Sequence, residues 1–128
     1  MRVVNKVLST NQALNVNSNS QYQPLKSIPM YAIQAIITGT PTGSIKLQAS
    51  ADPETNDTQV NSTGLPPAVG PINWVDVTGS TFVVTTLNGS VMWNVDFAGY
   101  NYVRVSYTDT SGGVSTATMT ITFNGKGI

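Results

Sequence analysis

At 128 residues the chain fits one domain, and six basic against six acidic side chains leave it neutral. It has no His and no Cys, and charged residues make up 9% of it, which removes most of the side chains that do acid–base, nucleophilic and metal chemistry near neutral pH. We therefore expect no enzyme and no cofactor or metal, and nothing in the charge balance marks a nucleic-acid or membrane partner.

Residues 1–24 differ from the rest. Val3-Val4 is followed by Ser9-Thr10-Asn11-Gln12 and then by Asn15-Val16-Asn17-Ser18-Asn19-Ser20-Gln21, a stretch with little apolar surface to bury. It reads as an extended N-terminal arm with one short strand in Val3–Leu8, ahead of a β-sandwich domain over 25–128. Such an arm either docks on a neighbouring copy or starts the first sheet. Arg2 and Lys6 stand near the start without a continuous apolar run, so we expect no signal peptide.

From Leu25 the pattern is strand-like. Tyr31–Thr38 sets Tyr31, Ile33, Ala35 and Ile37 on one face, and Ala32, Gln34 and Ile36 on the other. The turn Gly39–Gly43 leads to Ser44–Ala51, with Ile45, Leu47 and Ala49 inward. Asp52–Pro71 reads as a long loop of a kind that is often functional or interface-forming. Its acids Asp52, Glu54 and Asp57 match no calcium-loop spacing and read as solvated. The sequons at Asn56, Asn61 and Asn88 follow from an Asn- and Thr-rich composition.

Ile72–Val77 is a short strand carrying Trp74. Thr81–Leu87 and Ser90–Val95 flank Asn88-Gly89, a dipeptide suited to a two-residue hairpin turn. Trp93 lies in phase with Val91 and Val95 and reads as core. In Tyr100–Thr108, Val103, Val105 and Tyr107 share the core face, while Tyr102 and Arg104 lie opposite. Arg104 invites an ion pair with Asp76 or Asp96. After Ser111-Gly112-Gly113, Val114–Phe123 alternates Ala117, Met119, Ile121 and Phe123 against Thr116, Thr118, Thr120 and Thr122. One such threonine row is no ice-binding array, and Thr suits a strand face without further reason.

The sum is about seven or eight strands with no helical-period segment. It predicts an all-β fold, an antiparallel β-sandwich of jelly-roll or immunoglobulin-like type.

Several segments together resemble small β-sandwich structural proteins of bacteriophage virions. They are Gly43-Ser44-Ile45-Lys46-Leu47-Gln48-Ala49-Ser50-Ala51-Asp52, Trp74 with Val77-Thr78-Gly79-Ser80, and Val91-Met92-Trp93-Asn94-Val95. The fullest is Ala98-Gly99-Tyr100-Asn101-Tyr102-Val103-Arg104-Val105-Ser106-Tyr107-Thr108, followed by Ser111-Gly112-Gly113 and a last strand ending Lys126-Gly127. The resemblance implies a capsid-associated, decoration or tail subunit, located in the virion and assembled in the host cytoplasm. Its partners would be other copies and other virion proteins, with no catalytic residues. The expected contacts are Val3, Val4 and Leu8 of the arm, Leu65, Pro67 and Val69 of the long loop, and the Tyr102/Arg104 face. The alternative is a glycan-binding or adhesive module, which requires an exposed aromatic platform from Trp74, Tyr100 or Tyr102.

Overall fold

Among the described residues, ten strands form two antiparallel sheets, the first strand paired with the last. The computed structural model describes residues 2–25, 27–52, 72–84, 89–96 and 98–127. The strands are β1 (Arg2–Ala13), β2 (Ser18–Asn19), β3 (Gln23–Pro24), β4 (Met30–Thr38), β5 (Gly43–Ser50), β6 (Val75–Asp76), β7 (Phe82–Val84), β8 (Gly89–Val95), β9 (Tyr102–Asp109) and β10 (Thr118–Gly127). One sheet runs β1-β10-β4-β8. The other runs β2-β9-β5-β6, with β3 also on β9 and β7 also on β5.

The pairing is that of a long hairpin rolled up. β1 pairs with β10, β2 and β3 with β9, β4 with β8, and β5 with β6 and β7. Rolling then lays β10 on β4 and β9 on β5. Counting the split pairs β2/β3 and β6/β7 as one strand each gives the eight-stranded jelly roll. The fold class read from the sequence is thereby shown, and of its two topologies the jelly roll is the one formed.

Period-2 alternation explains the inside. One sheet contributes Ile33, Ala35 and Ile37, Trp93, and Met119, Ile121 and Phe123; the other contributes Ile45, Leu47, Val103, Val105 and Tyr107, all buried in one core. Burying each large side chain contributes about 1.5–3 kcal/mol. Trp93 and Tyr107 sit in the core as the phase of their strands predicts. The Trp93 indole N–H donates to the Ser80 carbonyl (2.7 Å), and its ring lies 5.6 Å from that of Phe82. The Tyr107 hydroxyl donates to the carbonyls of Leu14 (3.1 Å) and Thr42 (3.3 Å).

The structure departs from the sequence reading in three places. Residues 2–24 take the second of the two readings and start the sheets, but over more of their length than the short strand expected in Val3–Leu8: β1 pairs along β10 from Arg2 to Ala13, and β2 and β3 belong to the opposite sheet. Leu8 and Leu14 enter the core at 2% and 0% exposure. The strand was hidden because its register shifts between Val7 and Ser9 and between Ser9 and Gln12, which breaks the alternation. Asn11, at the second shift, takes φ 49°, a value Asn tolerates. Next, the described parts of the runs either side of Asn88-Gly89 do not pair with each other: β7 pairs with β5 and β8 with β4, in different sheets, while residues 85–88 lie outside the described residues. Finally, the last strand begins at Thr118, later than expected, and continues to Gly127. Gly125 is needed there, because a Cβ would stand 2.6 Å from Ile28 Cγ2.

The turn into β10 is clasped by Asp109. Its carboxylate accepts from the Ser111 hydroxyl (2.5 Å), the Ser111 amide (3.0 Å) and the Gly113 amide (3.1 Å). The Ser111 hydroxyl leads in holding the Asp109 carboxyl below its usual range.

Two predictions follow from this packing. A Cβ at Gly43 would lie 2.3 Å from the Thr108 carbonyl oxygen and 2.6 Å from the Tyr107 hydroxyl, so Gly43→Ala is expected to destabilise by about 1–3 kcal/mol. Urea unfolding checks this; an unchanged midpoint contradicts it. Asp109, with a depressed folded pKa, contributes stability above the unfolded value of about 3.9 that is lost as pH falls through the folded one. Asp109→Asn is therefore expected to melt lower than the native chain at neutral pH, with the gap closing below about pH 4. Thermal melts across that range decide it, and parallel profiles at all pH values contradict it.

Candidate functional site

The two outward sheet faces differ in chemistry. On the β1-β10-β4-β8 sheet, register places Val3, Asn5 and Val7 beside Lys126, Asn124 and Thr122, then beside Met30, Ala32 and Gln34. Met92 and Asn94 of β8 continue these rows, and Ile36 pairs with Ser90. Among the described residues, Lys126 is the one formal charge at the outward positions of this sheet. Val3, Val7, Ile36 and Met92 are each about half exposed, at 54%, 50%, 46% and 56%.

On the other sheet, the outward positions hold a polar relay. Lys46 Nζ donates to Asp76 Oδ2 (2.8 Å), and Gln48 Nε2 donates to Asp76 Oδ1 (2.9 Å). Gln48 Oε1 in turn accepts from Arg104 Nε (2.8 Å). The Lys46 hydrogen bond, then that of Gln48, holds the Asp76 carboxyl below its ordinary range. Arg104 thus forms neither expected ion pair; Asp76 pairs with Lys46, and Gln48 stands between. The Arg104 guanidinium lies 4.3 Å over the Trp74 ring, and burial pulls its pKa down.

Beside this relay opens a cleft of about 660 Å³, lined by Lys6, Ser20, Gln21, Tyr22, Pro24, Ile72, Trp74 and Arg104. A break between β2 and β3 builds its rim. The Val105 amide donates to Ser20 Oγ (2.9 Å), and the Ser20 amide donates back to the Val105 carbonyl (2.8 Å). The Gln21 amide is drawn instead to the Leu8 carbonyl of β1 (3.1 Å). Tyr22 is left projecting, its ring edge-on to Tyr102 (5.5 Å between centroids) and tilted against Trp74 (6.2 Å). Lys6 stands opposite Phe123 in register yet remains exposed on the edge strand, a placement that discourages edge-to-edge pairing.

The expected contact residues do not converge. Val3 is exposed on the neutral sheet, but Val4 turns to the core and Leu8 is inside it. Tyr102 is buried at 4% exposure beneath Tyr22, so it offers no free surface. Arg104 is half-buried in the cleft. Leu65, Pro67 and Val69 lie outside the described residues, as do Glu54 and Asp57. Asp52 accepts from the Asn73 amide (2.8 Å). Of the three rings named for an aromatic platform, Tyr102 is buried, Trp74 is half-buried under the Arg104 guanidinium, and the half-buried Tyr100 has its hydroxyl hydrogen-bonded to that of Tyr31. Sequence reading missed Val7, Ile36 and Met92 on one face and Lys6 and Tyr22 in the cleft. Alternation placed Ile36 on the outer face, but nothing in the sequence revealed the strand break that presents Tyr22.

No family model matches the chain, and no curated protein matches it. Among solved structures, it is similar to the SPBc2 prophage-derived protein YomS, at 15% identity and TM-score 0.52, over 97% of this chain and 92% of that one. It also matches a structure of Bacillus endospore appendages described as disulfide-linked pili, at 13% identity and TM-score 0.47, over 99% and 88%. The Tobacco streak virus coat protein matches at 12% identity and TM-score 0.41, over 98% and 85%. The likeness to YomS establishes a shared fold; the other two are too distant to bear on function.

Proposed function

We propose that this chain is a structural subunit of a bacteriophage virion, capsid-associated, decorating or in the tail, that works by protein–protein contact and not by catalysis. Its partners are copies of itself and other virion proteins. The observation that carries the reading is the outward face of the β1-β10-β4-β8 sheet, with Lys126 as its one formal charge among the described residues and Val3, Val7, Ile36 and Met92 exposed on it. Depletion of charge and enrichment in Met and other apolar groups mark the centres of interfaces. A face four strands wide and nine residues long along β4 spans roughly 19 Å by 30 Å, about 570 Å² per partner, which clears the roughly 1,000 Å² in total that a specific interface needs. A shared fold with a prophage-derived protein agrees with this reading.

Light scattering tests it. The native chain is expected to show a mass that is a defined multiple of 13.6 kDa, and the double variant Ile36→Lys, Met92→Lys is expected to run as a folded monomer. A native chain that stays monomeric at every concentration contradicts self-assembly through this face.

A further inference from the structure

We propose that the cleft between Tyr22, Trp74, Arg104 and Lys6 binds a carboxylate-bearing sugar residue, of the kind found in acidic polysaccharides. This stands whether or not the chain assembles, because the described lining of the cleft, Lys6 apart, lies on the side of the molecule opposite the weakly charged face.

The volume of about 660 Å³ falls within the range of small-ligand sites. Among the described residues, its lining holds two cations and no acid. Arg104 is held in place before any ligand arrives: Nε is fixed by Gln48, and the guanidinium plane rests on Trp74. With Nε occupied, the two Nη groups remain, and among the described residues neither has an acceptor. That end-on pair matches the two oxygens of a carboxylate. Asp76, on the same sheet face, is already taken by Lys46 and Gln48. Lys6 reaches the cleft from the other sheet as a second, exposed cation.

The rest of the lining selects for a sugar. Tyr22 is 41% exposed, and its orientation is fixed by Tyr102 and Trp74. An aromatic ring with a polar tip suits a pyranose, which has an apolar C–H face and a rim of hydroxyls. Gln21 also lines the cleft, and its side-chain amide is a donor and acceptor suited to those hydroxyls. A small inorganic anion would satisfy the cations but leave the ring and most of the volume unused. A neutral sugar would leave the guanidinium unpaired.

The test is titration of the full chain with tri-galacturonate, followed by calorimetry and tryptophan fluorescence. Binding is expected to shift the emission of Trp74, and Trp74→Phe is expected to abolish that shift because Trp93 is buried away from the cleft. Affinity is expected to fall tenfold or more for the methyl-esterified trimer and for Arg104→Gln and Lys6→Gln, and to weaken with added salt. Lys6 is exposed, so its variant keeps the test decisive if Arg104→Gln disturbs the fold. No binding at millimolar trimer overturns the proposal. So does equal binding of acid and ester, or equal binding of inorganic phosphate or triglutamate.

Discussion

The pairing of β1 with β10 is the constraint on which the rest of the molecule depends. It joins Arg2 to Gly127 and so closes almost the whole chain into one loop. Closing a long loop costs little more than closing a short one, since the entropic term grows only with the logarithm of length. What offsets it is the burial of the inward row of β10, Met119, Ile121 and Phe123, in the shared core, with β1 paired along one edge of β10 and β4 along the other. Every other pairing is nested within that outer one. The order of strands in both sheets then follows from rolling a single antiparallel ribbon.

That geometry also assigns the surfaces. Alternation sends one set of side chains to a shared core and leaves each sheet an outward face of its own. The face built on β10 is composed of Thr, Asn, Gln and isolated apolar groups, with Lys126 as its one formal charge among the described residues. The face built on β9 carries a chain of contacts from Lys46 through Asp76 and Gln48 to Arg104. A broad neutral surface suits repeated contact with protein. A fixed guanidinium beside an exposed ring suits a small charged ligand. On the proposed readings, the two sheets offer surfaces of different chemistry on opposite sides, and neither needs the other in order to form.

Much of the fold was legible in the residues. β4, β5, β9 and the centre of β10 announce themselves by strict alternation, and their core positions are those the alternation names. What stayed hidden had a physical cause in each case. β1 is an edge strand whose register shifts twice, so its few inward residues, Val4, Leu8 and Leu14, lose the period that would reveal them. Asn88-Gly89 has hairpin chemistry, but its flanking strands separate into two sheets, a choice set by long-range pairing. Tyr102 sits at an outward position as expected, yet Tyr22 covers it from a break in the neighbouring strand. Local pattern gives the face of a residue; what lies over that face is decided by segments far away in the chain.

Amide hydrogen exchange across the native chain measures the central claim most directly. If β1 is an integral strand of the roll, the Thr118–Gly127 amides of β10 that bond to β1 and β4 exchange among the slowest in the molecule, at rates matching those of β9. Free exchange along β10 on its β1-facing side, with β4, β5 and β9 still protected, would show that the N-terminal segment detaches independently, and would contradict the account.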